Sequence, residues 1–283
     1  MSKPDSSLLA QLATLIASSA FDLPGPSPHA GQPGLAAYCL GSFHLVYNLH
    51  SISPWPSRKG LGILEYLILH YPTPVSKDVL MDVFWPDDEP LAARRNLHQA
   101  IYAMRQVFGK HGLSPQSVQF GQDHYFLDPR LGLWSDVAEF EKHVQAGRRY
   151  EVLDQVEAAM AEYEVAQGLY QGDLLEDELY EDWPRWQRET LRSTYLDIAD
   201  RLGEYYLQVR DYPATMTLSW RMLTFDHCHE HAHCRLMKCY AAQGQRHMAV
   251  RQYHLCADAL QADLDLAPSE ETTALYRQLV DEA

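Results

Sequence analysis

Two stretches of the 283-residue chain carry side chains whose types and spacing could do chemistry. The first is His227-Cys228-His229-Glu230-His231-Ala232-His233-Cys234. Residues four apart share a helix face, so His229 and His233 could ligate one metal ion, as could His227 with His231 or Glu230 with Cys234. The stretch is not HExxH, however, and it offers neither a placed general base nor a remote ligand. The plainer reading is a helix that starts after Asp226 and carries solvated histidines, so no metal and no other cofactor is expected. His229 and His233 remain the candidates for a metal. Histidines so placed could also respond to pH.

The second stretch is basic. Between Pro90 and Gln122 there is no acidic residue, and Arg94, Arg95, Arg105 and Lys110 give a local charge of +4. A helix over about 92–108 buries Leu97, Ile101, Met104 and Phe108. It leaves Arg94, Arg95, His98, Gln99, Tyr102 and Arg105 outside. Arg and Gln can pair bidentately with guanine and adenine edges, and His and Tyr can reach phosphates or bases. An ordinary solvated helix face carries such residues too; the acid-free island is what favours nucleic acid. Lys110 and His124 fall in or near a following hairpin, where contacts to the DNA backbone are common. No GxSxG, GxxxxGK[ST] or GxGxxG occurs, so no nucleophile or phosphate cradle supports an enzyme.

A net charge of −15 speaks against a nucleic-acid partner only as an average. Residues 1–133 hold 9 basic and 10 acidic groups, and residues 134–283 hold 14 and 28, giving −1 and −14. Screening acts over roughly 8 Å at physiological salt, so the local balance governs docking. The five cysteines show no CxxC pair, which disfavours a disulfide framework. Residues 8–20 suit a short amphipathic helix better than a signal peptide, and no apolar run is long enough to span a membrane. A cytoplasmic protein follows.

The elements that must position these residues follow from periodicity. Residues 24–34 hold four prolines and three glycines and read as a linker. Tyr38 to Tyr47 reads as strand and turn. Arg58 to His70 is helical, with Leu61, Leu64, Leu67 and Ile68 at helical spacing. A second helix starts at the N-cap Ser76, with Asp78 in its first turn and Val79, Leu80, Val83 and Phe84 on its buried face; Trp85-Pro86 ends it. After the basic helix, Val118-Gln119-Phe120 and Tyr125-Phe126-Leu127 form a hairpin about Gly121-Gln122-Asp123. Three helices and a hairpin, the third helix basic, describe a winged helix-turn-helix.

From Trp134 onward the pattern is helical nearly throughout. Leu202, Tyr206 and Arg210 recur as Leu236, Tyr240 and Gly244, a shift of 34, which is the tetratricopeptide period. Trp183, Trp186, Leu191, Tyr195, Ile198, Leu202, Tyr205 and Tyr206 read as the core of such a solenoid, with an aromatic ligand pocket as the lesser reading.

These blocks resemble a known family. Leu40-Gly41-Ser42-Phe43, Trp55-x-x-Arg58-Lys59, Leu80-x-x-x-x-Trp85-Pro86 and Asn96-Leu97-x-x-x-Ile101-x-x-Met104-Arg105 are similar to the N-terminal domain of Streptomyces antibiotic regulatory proteins, a winged helix of the OmpR type. Trp134-x-Asp136-Val137-x-x-Phe140-Glu141, Tyr170-x-Gly172-x-Leu174-Leu175, Trp183-x-x-x-x-Arg188-x-x-Leu191 and Glu230-x-x-His233-x-x-Leu236-Met237 resemble the bacterial transcriptional activator domain that accompanies it. So do Gly244-x-x-x-x-Ala249-x-x-x-Tyr253 and Pro268-Ser269-x-Glu271-Thr272-x-x-Leu275-Tyr276. The resemblance implies a mainly α protein. Its expected parts are an N-terminal helix and linker over 1–35, a DNA-binding winged helix over 36–133, and a tetratricopeptide-like activator domain over 134–283. It implies promoter DNA as partner, self-association, and contact with the transcription machinery such as RNA polymerase. The competing expectations are a repeat-based scaffold whose winged helix no longer reads DNA, and a metal or ligand sensor.

Overall fold

The computed structural model describes residues 34–178 and 181–281. The helix expected over 8–20 and nearly all of the linker lie outside them. From Gly34 onward the described residues pack as one compact unit.

The chain opens with β1 (Leu35–Tyr38), β2 (His44–Tyr47) and β3 (His50–Ser51). Helix α1 (Arg58–Leu69) follows, then β4 (Val75–Ser76), α2 (Lys77–Phe84) and α3 (Pro90–Lys110). The hairpin β5 (Val118–Gly121) and β6 (His124–Leu127) leads to the two-residue β7 (Trp134–Ser135). One sheet has the order β3-β2-β1-β7, with β7 parallel to β1; the other has the order β4-β6-β5. This is the winged helix-turn-helix, with α3 as its third helix.

Local chemistry explains the elements. Ser57 caps α1 by accepting from Gly60 N, and Ser76 caps α2 by accepting from Asp78 N. Helix α3 begins two residues earlier than periodicity suggests because Pro90 occupies its first position, where a missing N–H costs nothing. In the hairpin, Gln122 and Asp123 alone form the turn, both with positive φ (51° and 62°), while Gly121 ends the strand. Two left-handed residues give the twist that matches the flanking strands. The expected buried face of α2 is narrower than the sequence suggests. Leu80 and Phe84 are buried, but Val79 is exposed, since a helix of 8 residues sets only one face against α1 and α3.

The second half is helical. It comprises α4 (Asp136–Val152), α5 (Val156–Leu169), α6 (Arg185–Gln208), α7 (Tyr212–Phe225), α8 (Glu230–Ala242), α9 (Arg246–Leu264) and α10 (Glu270–Asp281). Three antiparallel pairs, α4–α5, α6–α7 and α8–α9, are joined by one repeated turn. Asp154, Arg210 and Gly244 each take a left-handed conformation (φ 57°, 62° and 73°). The following N–H of Gln155, Asp211 and Gln245 donates back to the carbonyl of Tyr150, Tyr206 and Tyr240, at 3.0, 2.8 and 2.8 Å. This is the Schellman cap, made three times with tyrosine at the same place. The two-unit echo in the sequence is therefore part of a three-unit array, closed by α10. Glu230 seats that last helix, accepting from Ser269 N at 2.8 Å and Thr272 Oγ1 at 2.6 Å.

A single hydrophobic core runs from Leu35 through the winged helix to Ala232. A smaller cluster of Leu236, Met237, Tyr240, Ala249 and Leu279 holds the last helices together. The division expected at Trp134 thus falls at β7, across which the core is continuous. In the expected aromatic stripe, Leu191, Tyr195, Ile198 and Leu202 are buried, whereas Trp186 is 84% exposed. Trp183 turns away from the solenoid and packs on Tyr66 and Phe84, with ring centroids 5.2 and 6.0 Å away. Among the described residues no helix is long and apolar enough to cross a membrane.

Candidate nucleic-acid interface and the seam that orients it

The exposed side of α3 carries Arg94, Arg95, His98, Gln99 and Tyr102, opposite buried Ala93, Leu97, Ala100, Ile101 and Met104. With a rise of about 1.5 Å per residue, these five positions span roughly 12 Å, the scale of a groove-facing stripe. Together with Leu91, the same five residues line one shallow concavity. Leu91, missed in the sequence reading, is 83% exposed at the start of the helix, and Tyr102 is 65% exposed. Leu91 lies three, four and seven residues before Arg94, Arg95 and His98, on the same helix face; a helix start expected at about 92 leaves it out, and the start at Pro90 brings it in. Asn96 Nδ2 donates to Asp88 Oδ2 at 2.8 Å and ties the α2–α3 turn to the helix.

Arg105 is placed differently from the other cations. It is half-buried, and its Nε and Nη2 donate to the carbonyl of Val118 at 3.1 and 2.8 Å. It therefore fixes the first strand of the hairpin against α3. Lys110 is exposed in the last turn. His124 is half-buried beside the hairpin turn, its Nδ1 2.5 Å from Gln122 O. At the tip, Asp123 pairs with Lys77 at 2.6 Å. The hydrogen bond and charge of Lys77, with Arg94 and His124 nearby, hold the Asp123 carboxyl below its usual range. The acid at the hairpin tip thus stands against compensating cations.

The orientation of α3 relative to the helical half is set by a seam between the loop after β1 and the segment that joins α5 to α6. Leu40 bridges Leu174. Gly41 N donates to Asp173 O (3.0 Å), Leu175 N to Cys39 O (2.8 Å) and Glu176 N to Gly41 O (3.1 Å). Two glycines permit this approach. Gly41 takes φ +113°, and a Cβ on Gly172 would lie 2.2 Å from Glu176 Oε1 and 3.1 Å from Gly41 Cα. Buried Arg188 braces the segment from α6, donating to the carbonyls of Leu174, Leu175 and Glu178. Arg58 of α1 reaches Glu178 at 2.9 Å.

Asp136, at the start of α4, closes the seam. Its Oδ1 accepts from Cys39 N (2.9 Å) and Val137 N (2.8 Å), and its Oδ2 from Cys39 N (2.8 Å) and Leu40 N (2.9 Å). Burial raises its pKa and the backbone N–H groups offset part of that rise, leaving it at about 6.

Glu65 is the seam's least comfortable residue. It is 1% exposed, and its Oε2 has no hydrogen-bond partner. Burial, then the nearby Glu178 and Asp177 charges, push its pKa up to about 8 from 4.5. A carboxyl whose folded pKa is raised contributes stability below its unfolded pKa, and loses it as pH rises toward the folded value. Stability should therefore decline between about pH 4.5 and 8, and Glu65→Gln should flatten that decline. We expect the variant to gain on the order of 2 kcal/mol at pH 7. Urea melts of both proteins across this range check it; equal slopes would dismiss the assignment.

The structure does not bring His229 and His233 together as ligands. His229 is the N-cap of α8, outside the helix, with extended backbone, so helical i, i+4 geometry does not apply. Its Nε2 faces Asp200 at 3.4 Å. His233 is buried with both ring nitrogens engaged: Nε2–H donates to His227 O at 3.0 Å, and Nδ1 accepts from Gln252 Nε2 at 2.6 Å.

Comparison with known proteins assigns the helical half. The family model of the bacterial transcriptional activator domain matches residues 135–280, a little over half of the chain. The chain belongs to the bacterial transcriptional activator domain family. In this family member the matched region begins at the second residue of β7, and a winged helix precedes it. Mycobacterium tuberculosis EmbR, solved in complex with a low-affinity phosphopeptide, shares that architecture at a TM-score of 0.70. Identity is 18%, so the likeness shows the fold; it covers 89% of this chain and 66% of EmbR, just under two thirds. The C-terminal TPR-containing domain of a Plasmodium falciparum FK506-binding protein matches at 15% identity, covering 52% of this chain and 89% of that one. Its TM-score of 0.39 is too low to bear on the comparison. No curated protein matches the sequence. A winged helix followed by a bacterial transcriptional activator domain is the arrangement that the resemblance to Streptomyces antibiotic regulatory proteins implies.

Proposed function

We propose that the protein binds promoter DNA through residues 36–133 and engages protein partners through the activator domain, residues 134–283. The observation that carries this reading is the stripe of Arg94, Arg95, His98, Gln99 and Tyr102 on the exposed side of α3. In the major groove, Arg94, Arg95 and Gln99 face base edges, and His98 and Tyr102 reach bases or phosphates. Leu91 is suited to a thymine methyl. Lys110 and His124 flank the stripe and contact the phosphate backbone. The acidic helical half stays off the phosphates and serves self-association and RNA polymerase contact, in the cytoplasm.

Binding to promoter fragments should fall linearly on a log–log plot against salt. For roughly four phosphate contacts per chain, the loss is about 100-fold between about 50 and 200 mM. Footprinting identifies the fragments, and fluorescence anisotropy measures the slope. A flat salt response would move the function to protein scaffolding.

A further inference from the structure

The loop between α7 and α8 gathers three ligand-type side chains that neither the DNA-facing stripe nor the seam uses. His227 and Cys228 lie on this loop, and Asp263 lies one residue before the end of α9. One donor atom from each lies within 4.8 Å of the other two. His227 Nε2 and Asp263 Oδ2 are 2.5 Å apart, from residues 36 positions apart in sequence. Their side chains are 62% and 47% exposed, so an ion reaches them from solvent.

We propose that His227 Nε2, Cys228 Sγ and a carboxylate oxygen of Asp263 bind one zinc ion, with water in the fourth position. Nitrogen, sulfur and oxygen donors around an open tetrahedron suit zinc, and a thiolate ligand argues against magnesium and calcium, which take oxygen. The thiolate and carboxylate together neutralise a divalent ion. Tetrahedral zinc needs donor atoms roughly 3.5 Å apart, so the ion would replace the His227–Asp263 hydrogen bond through small rotations of two exposed side chains.

The backbone beneath the site is already held. Buried His233 donates to the His227 carbonyl at 3.0 Å and is itself fixed by Gln252. Cys228 N donates to Asp226 Oδ1 at 3.0 Å, and His229 N to Asp226 O at 3.2 Å. Such outer partners orient ligands in metal sites. His233 thus supports the ligands without being one. The bound ion would clamp the α7–α8 loop to the far end of α9, tying the second helix pair to the third.

The test uses the untagged full-length chain, stripped with chelator, with zinc alone titrated by calorimetry and cobalt(II) as a spectroscopic probe. The expected result is one zinc per chain and a cobalt spectrum of tetrahedral intensity with a thiolate-to-metal band. Cys228→Ser, Asp263→Asn and His227→Ala should each weaken zinc binding about 100-fold or more. His231→Ala, at an exposed position outside the set, should leave it unchanged. Zinc should raise the Tm of the parent protein and not that of Cys228→Ser. Absence of stoichiometric zinc, a cobalt spectrum without the thiolate band, or affinity that survives Cys228→Ser would overturn the proposal.

Discussion

Asp136→Ala is expected to destabilise the protein by about 4 kcal/mol, which is a large share of the roughly 5–15 kcal/mol that holds a domain folded. The carboxylate satisfies the N–H groups of Cys39, Leu40 and Val137 at once. Its removal strands the donors of Cys39 and Leu40, both buried, and each buried unpaired group costs about 1–3 kcal/mol. Asp136→Asn sharpens the test. The side chain keeps its shape, but one oxygen becomes an NH2 group that meets an N–H donor. The loss should therefore approach that of alanine. If asparagine is tolerated, packing rather than hydrogen bonding holds the seam. Thermal melts and hydrogen exchange at Cys39 and Leu40 distinguish the two.

Reversing charge at Arg94 and Arg95 together (Arg94→Glu, Arg95→Glu) should lower promoter affinity by about 1,000-fold and reduce the salt slope. Both residues are exposed, so the melting temperature should barely change. Arg105 must be treated apart from them. Its guanidinium holds the Val118 carbonyl, so Arg105→Ala should loosen the hairpin and cost affinity without altering the salt slope. A slope reduced by about one would instead place Arg105 directly on a phosphate. The double reversal would falsify groove reading by α3 if it left affinity intact.

Much of this architecture is legible in the sequence because helices bury residues with a period near 3.6. Leu97, Ile101, Met104 and Phe108 are all buried as that period requires, and the residues left over form the exposed stripe. Arg105 satisfied the same period, yet periodicity cannot report a half-buried guanidinium reaching a strand 13 residues away. Val79 and Trp186 show the opposite failure: apolar side chains in register with a face that no neighbour covers. The first helix pair, α4–α5, was hidden by spacing. Arg210 and Gly244 are 34 residues apart, but Asp154 precedes Arg210 by 56, because the segment that forms the seam is inserted between α5 and α6. The seam was the least legible feature. Its bonds are chiefly between backbones, or from side chain to backbone, and these impose no periodic pattern. The blocks Leu40-Gly41-Ser42-Phe43 and Tyr170-x-Gly172-x-Leu174-Leu175 were visible separately; their pairing with each other was not.

The two-residue strand β7 completes the first sheet beside β1, and its last residue, Ser135, caps α4 through Ala138 N. One dipeptide therefore finishes one half and starts the other, with no slack between them. Cutting there would bare the edge of β1, leave the Cys39 and Leu40 donors unmatched, and take the cap from α4. Neither half could be grafted onto a foreign neighbour without carrying part of the other. Recombination that trades DNA readers among regulators would have to move this pair together, and operator choice and partner choice would be inherited as one unit.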